Sequence, residues 1–192
     1  ITPIVRVPGF QHFHASRVLD TGAQGIVVPH VDDVETARKM VENVKYPPVG
    51  RRSITGSLPQ LDFVPTAVGE ATAAINDATL LIVMLETEEA VANAEAMAAI
   101  EGVDALLFGT NDLTIEMGIP GQVGDPRVKK HYETAAAACA KHGKFLGMGG
   151  VYDPNIMKDY VAMGARLILA GNDFPFLMKA AKEQAEVVRE MG

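Results

Sequence analysis

The segment TLLIVMLETEEAVANAEAMAAIEGVDALLFGTNDL, residues 79–113, decides the fold class. It contains two short apolar runs, Leu81 to Leu85 and Ala105 to Phe108, which have the length of strands and do not alternate with polar residues. Between them, Thr87 followed by two glutamates is typical of a helix N-terminus, and Gly102 is typical of a helix end. Unbroken apolar strands around a helix indicate parallel strands covered on both faces. The segment is therefore predicted to be a strand–helix–strand unit.

The same alternation of short apolar runs and helix-forming stretches extends along the whole chain. The strand candidates are Ile4 to Arg6, Ile26 to Pro29, Leu81 to Leu85, Ala105 to Phe108, Phe145 to Met148 and Leu167 to Ala170. Such repeats indicate a parallel α/β sheet, either doubly wound or closed into a barrel. A closed barrel uses roughly 31 residues for each of its eight units. By that measure a chain of 192 residues supplies about six units, in agreement with the strand candidates.

One stretch, Lys45 to Asp77, interrupts this rhythm. Its first part, Tyr46 to Gln60, is rich in proline, glycine and hydroxyl residues and is predicted to be a long loop. Loops of this length inside a compact domain are usually functional. The second part, Leu61 to Asn76, is predicted to be an additional helix.

Composition excludes several functional classes. The formal net charge of -7 argues against a nucleic-acid partner, because phosphate binding needs a basic face. No apolar run approaches the roughly 20 residues of a membrane span. The single cysteine, Cys139, fits a reducing compartment, so a cytoplasmic location is expected. The chain begins at Ile1 without an initiator methionine or a signal peptide, which suggests that it starts partway through its natural protein.

Polar residues follow most of the predicted strands at the point where each strand ends. Arg6 ends the first strand, Glu86 follows the third, and the fourth runs into Gly109-Thr110-Asn111-Asp112. In a parallel barrel these ends meet at one mouth, which holds the active site. Two carboxylates with water completing an octahedron suit Mg²⁺ or Mn²⁺. Arg6 would supply a charged fork for a carboxylate or enolate oxygen.

The segment from Gly109 to Asp112 adds a second anion-binding feature. Its glycine allows close approach of the backbone, and free N–H groups in the following helical turn would hold a carboxylate beside the metal. Each residue also has a purely structural interpretation, as a rim salt bridge for Arg6, a helix charge for Glu86 and an N-cap for Asp112. The set as a whole, at the ends of successive strands, favours the functional interpretation.

Several segments of the chain resemble the HpcH/HpaI aldolases. They are VRVPG (Val5 to Gly9), LDTGAQGIVVPHV (Leu19 to Val31), ARKMVENVKYPPVGRRS (Ala37 to Ser53), MLETEEAV (Met84 to Val91) and EGVDALLFGTNDL (Glu101 to Leu113). This resemblance covers essentially the whole chain. It implies an α/β fold that is a single (βα)8 TIM-barrel domain over residues 1–192, here the C-terminal six βα units with the first two absent.

The resemblance also implies roles for individual residues. Glu86 and Asp112 match the two metal ligands, with Mg²⁺ or Mn²⁺ as the cofactor and Co²⁺ as an alternative. Arg6 matches the arginine that binds the 2-oxo group and is the catalytic residue. Gly109, Thr110, Asn111 and Asp112 match the segment whose amides receive the pyruvate carboxylate. The implied partners are a small 2-oxo acid and further copies of the chain, in a hexamer built as a trimer of dimers, with no nucleic acid and no membrane.

Three departures from the family pattern stand out. Met84 occupies the place of a glutamine two residues before the metal-binding glutamate, and Arg52-Ser53-Ile54-Thr55 replaces an Arg-Gly-Val-Gly loop. The family's first two units, which carry an acidic residue and a histidine that handle protons, have no counterpart. His30 is the one histidine considered for the site, as a rim residue, although packing or a subunit contact is the preferred interpretation.

The expected activity is cleavage of a 4-hydroxy-2-oxo acid to pyruvate and an aldehyde through an enolate stabilised by the metal and Arg6. A Schiff-base mechanism is disfavoured because the lysines fall in predicted helices and loops. Two alternatives remain open. Decarboxylation of oxaloacetate passes through the same enolate, and a non-catalytic barrel would bind the 2-oxo acid without turnover.

Overall fold

The apolar runs form the strands of one parallel sheet in a computed structural model, which describes residues 1–192. The strands are β1 (Ile4–Arg6), β2 (Gly25–Val28), β3 (Leu80–Leu85), β4 (Ala105–Gly109), β5 (Phe145–Gly149) and β6 (Ala165–Ile168). Their order in the sheet is their order in the chain, and every neighbouring pair is parallel. The predicted α/β class and parallel sheet are confirmed.

Helices connect successive strands. They are α1 (His12–Asp20), α2 (Val34–Val44), α3 (Val68–Ala78), α4 (Glu88–Ala92), α5 (Ala94–Ala98), α6 (Thr110–Glu116), α7 (Pro126–His142), α8 (Pro154–Ala162) and α9 (Asp173–Arg189). The predicted caps are present, since the Asp33 side chain accepts from Thr36 N–H and that of Thr87 from Ala90 N–H. None of these helices combines the length and apolarity that crossing a membrane requires.

Two predicted boundaries are wrong. The additional helix does not start at Leu61, which ends a short 3-10 turn (Pro59–Leu61); α3 starts at Val68. Pro65 would interrupt a helix in this stretch, and Asp62 and Phe63 have left-handed φ angles of 52° and 58°. The last strand is Ala165–Ile168 rather than Leu167 to Ala170, because its pairing with β5 already begins at Ala165, opposite Leu146, before a β-bulge that skips Arg166.

The two faces of the sheet have different surroundings. The helices pack on one face, where residues such as Ile26, Leu81 and Phe108 belong to the main core. The other face is concave, and Val27, Ile82, Met84, Ala105 and Leu107 form a separate cluster there. Ile4 and Arg6 of β1 line a cavity of about 200 Å³ together with Leu167 of β6, at the opposite edge of the sheet, and Leu169 directly after it. The sheet is therefore curled, as in part of a barrel.

The long loop between α2 and α3 is anchored at the opposite end of the sheet from Glu86. The Arg52 side chain is fully buried and donates to Asp20 at 2.6 Å. Tyr46 and Asn76 exchange two hydrogen bonds, and the Lys45 ammonium donates to Asp104 at 3.2 Å and to the carbonyl of Thr79. The predicted loop is thus irregular but fixed, and Ile54 on it is 41% exposed.

Candidate active site

The carboxyl ends of the strands bring the predicted site residues to one edge of the concave face. Met84 and Leu107 point into that face. Side chains alternate along a strand, so Glu86, two residues after Met84, points the same way, and so does Gly109, two residues after Leu107. Arg6 at the end of β1 lines the concave cavity as well. The chain thus places the predicted metal ligand and the predicted cation on the same face.

Glu86 is buried, with 2% of its surface exposed, and its carboxylate is held from two sides. The backbone N–H of His30 donates to Oε2 at 2.6 Å. On the other side lies Gly109, where an added Cβ would be 2.5 Å from Cγ of Glu86 and 2.8 Å from Oε1. Only glycine leaves room for this carboxylate, which explains a glycine at the end of β4.

His30 has a larger part in the site than the sequence analysis assigned to it. Its φ angle of 52° is in the left-handed region, which is uncommon for a residue other than glycine, and such residues cluster at functional sites. This conformation turns the backbone N–H towards Glu86, while Nδ1 lies 3.3 Å from the same oxygen. The imidazole is 64% exposed, so it lies at the mouth. The available signal was a histidine directly after the Pro29 that follows β2.

A set of hydrogen bonds fixes the turn that carries His30. Thr87 Oγ1 donates to Asp32 at 2.6 Å and accepts from Ala90 N–H at 3.0 Å. The Asn93 amide donates to the carbonyl of Asp32 at 2.8 Å. Thr87, the residue after Glu86, therefore connects the turn that carries His30 to the start of α4, and Asn93 connects the same turn to the junction of α4 and α5. These contacts hold the His30 amide and the Glu86 carboxylate in place relative to each other.

Asp112 brings a second carboxylate to Glu86. It lies in the first turn of α6, is exposed, and is close enough to Glu86 to affect the pKa of that residue. Burial raises the pKa of Glu86, and the negative charge of Asp112 raises it further, while the His30 amide and imidazole act in the opposite direction. Two adjacent carboxylates, one of them desolvated, repel each other when both are ionised.

This pair of carboxylates fits a divalent cation. An ion between them would remove the repulsion that raises the pKa of Glu86. No group of three or more histidine, cysteine, aspartate or glutamate side chains is arranged to hold a metal. The donor set therefore suits a hard cation that keeps water or substrate oxygens among its ligands, as Mg²⁺ does, and not a closed tetrahedral zinc site.

Arg6 is exposed on the concave face and takes part in none of the salt bridges of the structure. In register it lies beside Val27, which lies beside Ile82, four residues before Glu86. Arg6 therefore starts deeper in the curled sheet than Glu86. The structure brings Glu86 and Asp112 together and places Arg6 below them as an unpaired cation, so that its long side chain is available to an anion.

The turn from Gly109 to Asp112 divides into an inward and an outward part. Thr110 is completely buried and its hydroxyl is used inside the protein, so its side chain does not face the site. Asn111 and Asp112 are exposed. Gly150, with φ of 78°, packs against Asn111, since an added Cβ there would lie 2.9 Å from Nδ2. The exposed half of the predicted anion-binding segment is thus Asn111 and Asp112.

Comparison with known proteins agrees with this geometry. The HpcH/HpaI aldolase/citrate lyase family model matches residues 1–180. The 4-hydroxy-4-methyl-2-oxoglutarate aldolase tasA of Hapsidospora irregularis is 38% identical over 98% of this chain and 71% of its own length. The 4-hydroxy-2-oxo-heptane-1,7-dioate aldolase of Salmonella paratyphi C is 30% identical over 95% of this chain and 69% of its own.

The fold comparison gives the same result. The crystal structure of an HpcH/HpaI aldolase from Desulfitobacterium hafniense superposes with a TM-score of 0.90 at 33% identity, covering 99% of this chain and 73% of that one. The named relatives are aldolases, which are carbon–carbon lyases, and the prediction of an enzyme of this class is confirmed. A curled parallel sheet, a carboxylate pair at its carboxyl edge and the match over residues 1–180 lead to one assignment: the chain belongs to the HpcH/HpaI aldolase/citrate lyase family.

Proposed function

We propose that this lyase is a class II pyruvate aldolase, which cleaves a 4-hydroxy-2-oxo acid to pyruvate and an aldehyde with the help of a divalent cation. The observation that carries the proposal is the pair Glu86 and Asp112, a buried carboxylate of raised pKa beside an exposed one. The unpaired Arg6 on the same concave face supports it. The substrates in the names of the two curated relatives, 4-hydroxy-4-methyl-2-oxoglutarate and 4-hydroxy-2-oxo-heptane-1,7-dioate, belong to the proposed substrate class.

Glu86 and Asp112 would hold the cation, which we propose to be Mg²⁺ or Mn²⁺, with Co²⁺ as an alternative. Such an ion, when bound, polarises the 2-oxo group and offsets the negative charge that develops as the C3–C4 bond breaks. Glu86 is suited to this task because Gly109 and the His30 amide fix its carboxylate before any ligand arrives. A ligand that is already oriented loses little conformational entropy on binding.

Arg6 would donate to the 2-oxo oxygen, where charge accumulates as the pyruvate enolate forms. A guanidinium group keeps its charge at any physiological pH and offers several N–H donors in one plane. The backbone of Gly109, Thr110, Asn111 and Asp112 would receive the substrate carboxylate, with contact made at the exposed Asn111 and Asp112. Together these groups would hold the carboxylate and the 2-oxo group of the substrate, the part that becomes the pyruvate enolate when the C3–C4 bond breaks.

A Schiff-base mechanism has no suitable lysine in the described chain. The one buried lysine, Lys45, donates to the carbonyls of Asn76 and Thr79 and to the side chain of Asp104. Asn76 and Thr79 come before β3 in the chain, and Asp104 comes directly before β4. Its amine therefore lies at the end of the sheet opposite to Glu86. This position supports enolate stabilisation by a cation over a covalent intermediate.

The experiment is a pyruvate-release assay on the full-length enzyme, with lactate dehydrogenase as the coupling enzyme. A panel of 4-hydroxy-2-oxo acids and oxaloacetate would be compared in the presence of Mg²⁺, Mn²⁺ and Co²⁺ and in excess chelator. Metal-dependent pyruvate release from a 4-hydroxy-2-oxo acid supports the aldolase. Release from oxaloacetate alone would indicate a decarboxylase, and binding without release would indicate a non-catalytic barrel. Full activity in excess chelator would contradict the proposal.

We also propose that the sheet is part of a closed (βα)8 barrel in a single domain, to which two further βα units contribute. The support is the curled sheet, whose first and last strands, β1 and β6, have free edges although both lie beside one cavity. An open edge presents unpaired N–H and C=O groups, which proteins normally cover. The intact mass of an active natural sample would exceed that of residues 1–192 by about 60 residues, at the usual length of a barrel unit.

Finally, we propose that the protein is a homo-oligomer, with a hexamer as the expected form. The support is α9, a helix of 17 residues with no buried residue. Phe174, Phe176, Leu177 and Met178 in its first part are all more than half exposed. Apolar surface of this extent commonly marks a protein contact. We propose that the two further βα units cover part of it and another copy of the chain covers the rest.

A further inference from the structure

Thr110 is buried at the junction of β4 and α6, and its hydroxyl contacts two other elements. Oγ1 lies 2.7 Å from the carbonyl oxygen of Gly149 at the end of β5. It also lies 2.8 Å from the hydroxyl of Tyr132, in the second turn of α7. Both side chains are completely buried. One hydroxyl therefore joins the carboxyl ends of two neighbouring strands to the helix behind them.

The direction of these hydrogen bonds follows from the groups involved. The carbonyl of Gly149 can only accept, so the single hydroxyl proton of Thr110 goes to it. Tyr132 must then donate to Thr110. Burial raises the pKa of Tyr132, so this donor keeps its proton over the whole physiological range. With Thr110 donating to Gly149, the order of donation is Tyr132 to Thr110 to Gly149.

Tyr132 itself is held in place by aromatic packing. Its ring stacks on Phe108 of β4 with centroids 3.9 Å apart and on Tyr160 of α8 with centroids 3.8 Å apart. The hydroxyl of Tyr160 points to a different place and donates to the carbonyl of Val123 at 2.5 Å. The stack thus contains two buried tyrosines of similar surroundings, of which only Tyr132 contacts the turn at the site.

We propose that Thr110 is a positioning residue, which holds Asn111 and Asp112 at a fixed place relative to Glu86 through its bonds to Tyr132 and Gly149. Thr110 is two residues from Asp112, and the Gly149 that it binds is followed by Gly150, which packs directly on Asn111. This inference rests on the proposed function, because Asp112 is there a metal ligand. It explains why a hydroxyl residue occupies the buried first position of α6.

The test uses four variants of the full-length protein. Thr110→Val keeps the shape but removes the hydroxyl, and Thr110→Ser restores it. Tyr132→Phe removes the donor to Thr110. Tyr160→Phe is the matched control, since it removes a buried tyrosine hydroxyl from the same stack and leaves the turn untouched. Mn²⁺ affinity measured by electron paramagnetic resonance is one readout, and amide hydrogen exchange of residues 105–116 in the metal-free protein is the other.

We expect Thr110→Val to weaken Mn²⁺ binding by about 10-fold or more, because two buried polar groups lose their partner. Tyr132→Phe is expected to weaken it less, and Thr110→Ser and Tyr160→Phe to stay within about 2-fold of the wild type. Amide exchange of the turn should follow the same order. In Thr110→Val the decrease in kcat should be larger than the increase in KM, because misplaced metal ligands weaken binding of the transition state more than binding of the substrate.

Two results would overturn the inference. One is wild-type Mn²⁺ affinity and amide exchange in Thr110→Val. The other is an equal effect of Tyr160→Phe and Tyr132→Phe, which would mean that the stack supports stability alone. If the wild-type protein itself fails to bind Mn²⁺, the proposed function is wrong, and the amide exchange of the metal-free variants still decides whether Thr110 fixes the turn.

Discussion

Gly109 lies directly against the side chain of Glu86, so close that an added Cβ would be 2.5 Å from Cγ of the glutamate. The contact lies between the ends of the adjacent strands β3 and β4 and restricts the position of the Glu86 carboxylate. It also gives a way to move the proposed metal ligand without changing it chemically.

Gly109→Ala should displace the Glu86 carboxylate and lower activity on the order of 100-fold, the typical effect of moving a reacting group by about 1 Å. Overpacking at this site should cost about 1–3 kcal/mol of the free energy of unfolding. Gly69→Ala is the matched control, since nothing lies within 4 Å of its added Cβ and it falls in a helix. That control should be neutral or slightly more stable. Equal activity of the two variants, measured by pyruvate release, would show that the carboxylate position is unimportant.

Glu86→Gln and Asp112→Asn should each abolish binding of the divalent cation, because an amide cannot supply the negative charge of a carboxylate. The fold should survive in both variants, since a glutamine oxygen can still accept from the His30 amide. Calorimetric titration with Mn²⁺ and circular dichroism would check the two statements. Retained cation binding in either variant would remove the carboxylate pair as the metal site.

The raised pKa of Glu86 gives opposite pH dependences for stability and for metal binding. The folded protein without metal binds the proton of Glu86 more tightly than the unfolded chain does, so this contribution to stability is present at low pH. It is lost as pH rises from the ordinary value of 4.5 through the raised pKa. Metal affinity changes the other way and falls as pH decreases through the same range. Thermal unfolding in chelator and Mn²⁺ titration should both show these trends, and Glu86→Gln should lose both.

Arg6→Ala should slow exchange of the methyl protons of pyruvate with solvent by about 100-fold, since a charged donor aimed at developing negative charge is worth about 3 kcal/mol. The exchange requires only enolate formation, so no aldehyde is needed. Arg6→Lys should recover part of the rate, because an ammonium group cannot reproduce the guanidinium fork. Nuclear magnetic resonance in deuterated buffer measures the loss of the methyl signal. An exchange rate that is unchanged in Arg6→Ala would mean that Arg6 is not the group that stabilises the enolate.

Leu177→Asp should reduce the size of the assembly at micromolar concentration, because Leu177 is 66% exposed on an apolar side of α9. Lys179→Asp is the control on the same helix, two residues on and therefore on nearly the opposite side, where it pairs weakly with Glu183. Light scattering would compare the molar masses of both variants with that of the wild type. A monomeric wild type would contradict the proposed oligomer and would assign the apolar surface of α9 to the two further βα units alone.

Local signals in the sequence predicted the sheet well. The strands are apolar because one face of the sheet is covered by helices and the other lines the concave cavity. The cap residues Asp33 and Thr87 each bind a backbone N–H only three residues further along the chain, so the local sequence is enough to predict them. The helix start at Leu61 was wrong although Pro65 was visible in the sequence. The predicted site residues Glu86 and Asp112 do meet, because the ends of parallel strands must lie at one edge.

Other parts of the site could not be predicted, because they depend on contacts between distant residues. The His30 amide lies 56 residues from Glu86 in the chain, and Gly149 lies 39 residues from Thr110. Nothing in the local sequence indicates that His30 takes a left-handed conformation or that the Thr110 hydroxyl is turned inward. Both features depend on how the ends of neighbouring strands pack against each other, and that packing can be worked out only when the register of the sheet is known.

The strand order has a consequence for how the chain folds. Each strand pairs only with the strands that precede and follow it in sequence, so the sheet can grow by one strand and one helix at a time. The paired residues are nevertheless 19 to 55 positions apart in the chain, because a whole helical connection lies between them. Parallel pairing over such separations is intrinsically slow to form. During synthesis the latest strand presents a bare edge until its successor emerges, and that edge is where a nascent chain is most exposed to misassociation. Mutations that delay one helical connection would therefore reduce the yield of folded protein more than its final stability.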